Sequence, residues 1–136
     1  MKKKIIWVII LFVLLFSYYE VIFRTKTVSY MGESRDWFIE INSKLIGLNG
    51  SYSIEVRYKG KNSIQYADFN IYPHFYNVGY SSFDKNGYFY WKCKDDCGYY
   101  GKDSKLLFFI VWKEGNDSEE KMQFIDLRRI PSKRWR

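Results

Sequence analysis

Histidine, proline and cysteine are scarce in this chain, with one His, two Pro and two Cys in 136 residues. Each scarcity excludes something. General acid–base or Ser-His-Asp chemistry would have to pass through His74, which follows Pro73 in a strand-breaking segment. No Gly-x-Ser-x-Gly nucleophile turn is present, so His74 reads as a loop or surface residue. The acids are scattered, and no two stand out as a glycoside-cleaving pair. A zinc site wants four ligands, and only His74 could join the two cysteines. Asp95, Asp96 and Asp103 share a loop with Gly98 and Gly101, but without the alternating ligand positions of a calcium loop, so they read as a solvated turn. No enzymatic activity, metal or cofactor is expected. Internal repeats, low-complexity segments and convincing soluble helices are also missing.

Basic charge is lacking where a nucleic-acid-binding domain would carry it. The formal net charge is +7, yet five basic residues lie in 1–26 and five more in 128–136. The stretch 27–127 holds 12 basic and 14 acidic residues, a net of −2. Without a basic folded face, nucleic acid is not an expected partner.

What is present begins at the N-terminus. Lys2-Lys3-Lys4 precedes the unbroken apolar run Ile5–Phe16, which thins through Ser17, Tyr18, Tyr19 and Glu20 to Val21-Ile22-Phe23 and ends at Arg24. A cleaved signal peptide would need a small-x-small site, and 17–23 has none. A lipoprotein would need a Cys just after the run, and the first is Cys93. An uncleaved single-pass anchor fits best, with Glu20 near the far interface and Tyr18 and Tyr19 in an aromatic belt. Cleavage at a poor site and a buried soluble helix are the alternatives. The Lys cluster before the span and the paired cysteines after it both favour a cytoplasmic N-terminus and an extracytoplasmic 27–136.

Aromatic residues make up 21% of the chain, a composition that suits strands. Thr25–Met31 reads as a short link. In Trp37–Ile41, Trp37, Ile39 and Ile41 alternate against Glu40 and Asn42. Lys44–Leu48 is ambiguous, and Asn49-Gly50 is a strong turn signal. Tyr52–Lys59 sets Ile54, Val56 and Tyr58 against Glu55, Arg57 and Lys59. Ile64–Tyr72 changes phase, which a bulge near Ala67-Asp68 would repair. Phe75–Tyr80 reads as a short strand. Tyr88–Cys93 turns Phe89, Trp91 and Cys93 inward and Tyr88, Tyr90 and Lys92 outward. Leu106–Trp112, apolar throughout, reads as a central strand covered on both sides. After a loop at Glu114–Glu120, Lys121–Leu127 is the last strand, stopped before Pro131. Short strands with regular turns imply an all-β antiparallel sandwich after one transmembrane helix, with a small barrel as the alternative. The organisation is thus anchor 1–26, domain 27–127 and basic tail 128–136.

Three short motifs carry a resemblance. Gly32-Glu33-Ser34-x-x-Trp37, Tyr58-Lys59-Gly60, and Ile110-Val111-Trp112 with Gly115 and Asp126-Leu127 resemble a group of small envelope proteins of Gram-positive, Bacillus-like bacteria, often lipoproteins. The resemblance spans 32–128 and implies an immunoglobulin-like β-sandwich at the cell envelope. It brings no catalytic residues. This chain departs from the group in lacking a lipid-bearing Cys, and the Cys93/Cys97 pair is not part of the motif.

Three sets of residues are candidates for function. Cys93-Lys94-Asp95-Asp96-Cys97 is read as a disulfide across a turn, with free thiols or metal or redox chemistry as alternatives. Tyr88, Tyr90, Tyr99 and Tyr100 are candidates for a ligand-binding aromatic surface, unless a second element covers them. Arg24, Lys26, Arg128, Arg129, Lys133, Arg134, Trp135 and Arg136 are candidates for contact with anionic lipid or cell-wall polymer, against the plain reading of the tail as a solvated end. The expected function is a membrane-anchored binding or interaction module with a lipid, polymer or protein partner. The alternative is a structural or regulatory subunit acting through its span, although Ile5–Phe16 offers no Gly, Ser or Thr for close helix packing.

Overall fold

The computed structural model describes residues 2–73, 83–94, 97–98, 101, 105–115 and 119–131. One helix, α1 (Lys2–Phe23), is followed by seven strands: β1 (Thr25–Glu33), β2 (Trp37–Ile46), β3 (Asn49–Tyr58), β4 (Ile64–Tyr72), β5 (Tyr88–Cys93), β6 (Leu106–Glu114) and β7 (Lys121–Ile130). Helix α1 is apolar over Lys3–Phe23, and its side chains from Lys3 onward are exposed apart from half-buried Ile22. Those 21 residues span about 32 Å at 1.5 Å per residue, close to the roughly 30 Å of a bilayer's hydrocarbon core. The helix is therefore long and apolar enough to cross a membrane.

All described ladders are antiparallel, in the order β4-β6-β7-β1-β2-β3-β5. The sheet curls into a sandwich-like shape. One half is β1-β2-β3-β5 and the other β4-β6-β7, and they are joined where Ser29, Tyr30 and Met31 pair with Ile130, Arg129 and Arg128. Among the described residues, β4 and β5 are the edge strands. At the far end the Ile64 amide donates to the Lys85 carbonyl at 3.3 Å, drawing those edges together.

The inner faces follow the period-two pattern. Trp37, Ile39, Ile41, Ile54, Val56, Phe108 and Ile110 are fully buried, and Phe69, Phe89, Ile71 and Leu127 complete one core. Aromatic rings bridge the halves: Trp37 meets Trp112 edge-on at 5.6 Å, and Phe69 packs between Phe89 and Phe108, each at 5.1 Å.

Several local expectations are corrected. Thr25–Met31 is strand, not a link, because Val28 and Tyr30 belong to the core. The β2–β3 turn is Gly47-Leu48, not Asn49-Gly50. Pairing Ile46 with Asn49 sets Ile41 opposite Ile54 and Trp37 opposite Tyr58, whereas a turn at Asn49-Gly50 would slide these pairs four residues apart. Gly50 serves close approach instead: a Cβ there would strike the Gly98 carbonyl. In β4 the irregularity lies between Ile64 and Tyr66, not at Ala67-Asp68, so Ala67, Phe69 and Ile71 face inward and Tyr66 outward. Among the described residues, strand β6 is fully covered on one face only. Leu106, Phe108, Ile110 and Trp112 are buried, while Leu107, Phe109 and Val111 are half-buried on the outside. Strand β7 runs past Leu127 to Ile130, so Arg128 and Arg129 belong to the sheet and not to a tail. The expected Phe75–Tyr80 strand lies outside the described residues.

Candidate functional site

Of the cationic candidates, Arg24 and Lys26 lie at the end of the sandwich next to α1, whereas Arg129 and Arg128 pair with Tyr30 and Met31, five and six residues beyond Thr25 on β1. Arg24 alone separates α1 from β1, and its amide still donates to the Glu20 carbonyl at 3.2 Å, continuing the helix ladder to the strand. Arg24 and Lys26 are exposed there. Strand β7 runs antiparallel to β1 and brings Ile130 opposite Ser29. The chain leaves β7 heading for Thr25, four residues and about 13 Å away at 3.3 Å per strand residue. Lys133, Arg134, Trp135 and Arg136 follow in sequence and lie outside the described residues.

Cys93 and Cys97 are joined as a disulfide, with Cα atoms 5.9 Å apart. Cys93 ends β5 opposite Tyr52, and the Cys97 amide donates to the Gly50 carbonyl at 3.1 Å. Farther along the same loop, the Tyr30 hydroxyl donates to the Gly101 carbonyl. The bridge thus fastens the loop over the end of the core nearest α1. Tyr52, buried beneath it, has its hydroxyl pushed up to about 12 by desolvation. Alkylation of the unreduced protein is expected to label neither Cys. Cys93→Ser/Cys97→Ser should cost about 2 kcal/mol, the loop entropy of so small a ring, in a denaturant titration. Stoichiometric labelling without reductant would refute the bridge.

Tyr88 and Tyr90 project outward from the edge strand β5 at 40% and 51% exposure, as the alternation predicts. They stand opposite Arg57 and Glu55 on β3. The Arg57 guanidinium pairs with Glu55 at 3.1 Å and lies 4.5 Å over the Phe38 ring. The Tyr88 hydroxyl titrates above its ordinary value, first through desolvation and then through the Glu55 carboxylate. The result is an exposed aromatic and charged surface. Tyr99, Tyr100 and His74 lie outside the described residues.

Sequence reasoning missed two surfaces. On the outer face of β6 and β7, the Phe109 and Phe124 rings pack at a tilt with centroids 4.6 Å apart, with Val111 opposite Met122 beside them. Met122 and Phe124 are 67% and 62% exposed, a contiguous apolar patch of the kind that marks contact surfaces. It was hidden because an all-apolar β6 reads as covered on both sides. Next to it, β1 and β7 part beyond the Met31–Arg128 pair and leave an open groove of about 690 Å³ between Glu33, Gln123, Phe124 and Arg128.

The sequence also left Glu114 in a loop. It ends β6 on the inward parity of Trp112 and is buried. Asn62 Nδ2 donates to it at 2.8 Å, Trp112 Nε1 at 3.2 Å and Lys121 Nζ at 3.1 Å, and the Tyr58 hydroxyl donates as well. The Asn62 and Tyr58 hydrogen bonds hold the carboxyl at about 2, against the opposing effect of burial. Desolvation and then the same carboxylate push Tyr58 well above the usual tyrosine range. An ionised carboxylate with every partner in place is a strut, not a general acid. Among the described residues, no three His, Cys, Asp or Glu side chains gather to hold a metal.

No family model, curated protein or solved structure matches this chain. Two of the three short sequence motifs, Gly32-Glu33-Ser34-x-x-Trp37 and Tyr58-Lys59-Gly60, meet in space. The Ser34 hydroxyl accepts from the Trp37 amide at 3.1 Å, and the Ser34 amide donates to the Trp37 carbonyl at 2.8 Å, closing the β1–β2 turn. Lys59 Nζ reaches Glu33 at 2.7 Å and the Ser34 carbonyl at 2.9 Å. Gly-Glu-Ser-x-x-Trp and Tyr-Lys-Gly are two halves of one corner, and their geometry is that of a structural clasp.

Proposed function

We propose that this chain is a single-pass envelope protein of the kind its motifs resemble. In this reading α1 crosses the membrane once, with the β domain outside the cell as a binding or interaction module and not an enzyme. The observation that carries this is the join at Arg24: a span-length apolar helix enters the first core strand with no flexible linker, so the domain is held against the surface. The exposed faces then divide the work. The Phe124/Met122 patch and the Tyr88/Tyr90 surface offer a protein partner aromatic and apolar area. The cations Arg24 and Lys26, with Lys133, Arg134, Trp135 and Arg136 at the end of the chain, suit anionic headgroups, at about 1 kcal/mol per cation near such a surface, while Arg128 and Arg129, higher on the sheet, suit wall polymer. The immunoglobulin-like grouping is supported by the sandwich shape. The consecutive β1-β2-β3 hairpins differ from constant domains, in which the second strand lies beside the fifth.

Protease added to intact protoplasts should remove a C-terminal tag and digest the domain without lysis. Protection until lysis would reverse the orientation. Truncation after Pro131 should weaken salt-sensitive co-sedimentation with anionic vesicles. Equal binding with and without 132–136 would remove the tail from the proposal.

A further inference from the structure

We propose that the β2–β3 turn is a second membrane contact, a short finger that sets Leu48 among the phospholipid headgroups of the leaflet from which α1 emerges. This rests on the reading of α1 as a membrane span. Three independent observations carry it.

The first is position. Thr25, the first residue of β1, pairs with Ile46, so Gly47 and Leu48 lie beyond the start of the sheet, alongside the last turn of α1. Gly47 packs directly on that turn: a Cβ at this residue would stand 2.5 Å from the Ile22 carbonyl oxygen. Its φ of +61° also suits glycine alone at low cost. Wherever Ile22 and Arg24 meet the interface, this turn meets it too.

The second is exposure. Leu48 is 99% exposed and Ile46 43%, although Ile39, Ile41, Tyr52, Ile54 and Val56 of the same hairpin are fully buried. Two-residue hairpin loops favour Asn, Asp and Gly, whose polar or absent side chains suit water. Here the second loop position is leucine, and no described side chain covers it. A lipid interface accepts an apolar side chain on a tip that the aqueous phase does not.

The third is charge. Arg24 before β1 and Lys26 on it flank the turn, and Lys44 on β2 stands opposite Thr27. A leucine tip ringed by cations matches an anionic headgroup layer, within whose Debye length all three would lie. Two contacts, α1 and the finger, would fix the tilt of the domain on the membrane, which one helix cannot do.

The test uses the full chain with a single added cysteine. Native Cys93 and Cys97 are bridged, so maleimide labelling without reductant reaches only the new thiol. Leu48→Cys, Phe23→Cys and Lys61→Cys are each labelled with an environment-sensitive fluorophore and reconstituted into phosphatidylcholine–phosphatidylglycerol vesicles containing headgroup- or acyl-spin-labelled lipid. Lys61 lies in the turn before β4, at the opposite end of the sandwich. The expected result is quenching at position 48 within twofold of that at 23, with none at 61. Ile46→Cys is expected to show weaker quenching than 48, and this guards against a local effect of one substitution. If 48 behaves like 61 while 23 is quenched, the finger is wrong and the anchor stands. If 23 is also unquenched, the anchor reading fails and takes the finger with it.

Discussion

Trp37→Ala is expected to unfold most of the domain under conditions where the wild type is fully folded. Trp37 is completely buried, with Tyr58, Phe83 and Trp112 rings at 5.1, 5.6 and 5.6 Å. It lies where the two halves of the curled sheet meet, and its backbone closes the Ser34 turn. Removing such a side chain leaves a cavity bordered by rigid rings, at about 4 kcal/mol, a large share of the roughly 5–15 kcal/mol that holds a domain folded. The melting temperature should fall on the order of 20 °C. Trp37→Phe, which keeps part of the volume and the ring contacts, should cost about half as much. Thermal and denaturant unfolding of the full chain in detergent, followed by circular dichroism, measures both. A Trp37→Ala variant within about 1 kcal/mol of wild type would mean that the two halves do not pack through this residue.

The same physics explains which parts of this fold could be read in advance. Where one face of a strand is apolar and the other charged, the parity is unambiguous. Tyr52–Lys59 and Tyr88–Cys93 came out with their inward and outward residues correct because each alternates without a break. The cysteine pair was legible because a three-residue loop between two cysteines can turn them to face each other within bridging distance, and their Cα atoms stand 5.9 Å apart. Legibility failed where the sequence stated no preference or stated two. Leu106–Trp112 is apolar at every position, so nothing in it reveals that Leu107, Phe109 and Val111 face outward. Asn49-Gly50 is a better turn signal than Gly47-Leu48, yet pairing along all of β2 and β3, which only the folded sheet evaluates, outweighs a local preference worth little by itself. Thr25–Met31 reads as a link because it follows the span directly, whereas Val28 and Tyr30 gain their burial from strands that pair with it only in the folded sheet. The candidate surfaces divide in the same way. Tyr88 and Tyr90 followed from parity, whereas the Phe124 patch and the β1–β7 groove depend on which strands become neighbours.

Glu114 gives the domain an acid sensitivity that a single substitution should remove. Its four donors come from different places: Asn62 and Tyr58 flank the turn between β3 and β4, Trp112 is two residues back, and Lys121 begins β7. The carboxylate therefore ties three chain segments together at the far end of the sandwich. Because its pKa in the folded protein is depressed to about 2 from an ordinary 4.5, folding favours the ionised form. The resulting stability is complete above pH 4.5 and is lost as the pH falls towards 2. Allowing for the solvent that reaches Lys121, this amounts to about 2 kcal/mol. Glu114→Gln should lose a similar amount at pH 7, since an amide accepts fewer of these bonds and turns its own N–H groups towards Asn62 and Tyr58. Its stability should then decline less steeply than wild type between pH 4.5 and 2, so that the two curves converge in acid. Glu114→Leu should be worse, by about 1–3 kcal/mol for each buried donor left unpaired at Trp112 Nε1 and Tyr58. Asn62→Ala, which removes the strongest single support of the low pKa, should shift the acid midpoint upward while leaving the other donors in place. Denaturant titrations at a series of pH values compare the slopes directly. Parallel curves for wild type and Glu114→Gln across this window would show that the carboxylate carries no linkage, and that the cluster is held together by the packing of Trp112 and Tyr58 alone.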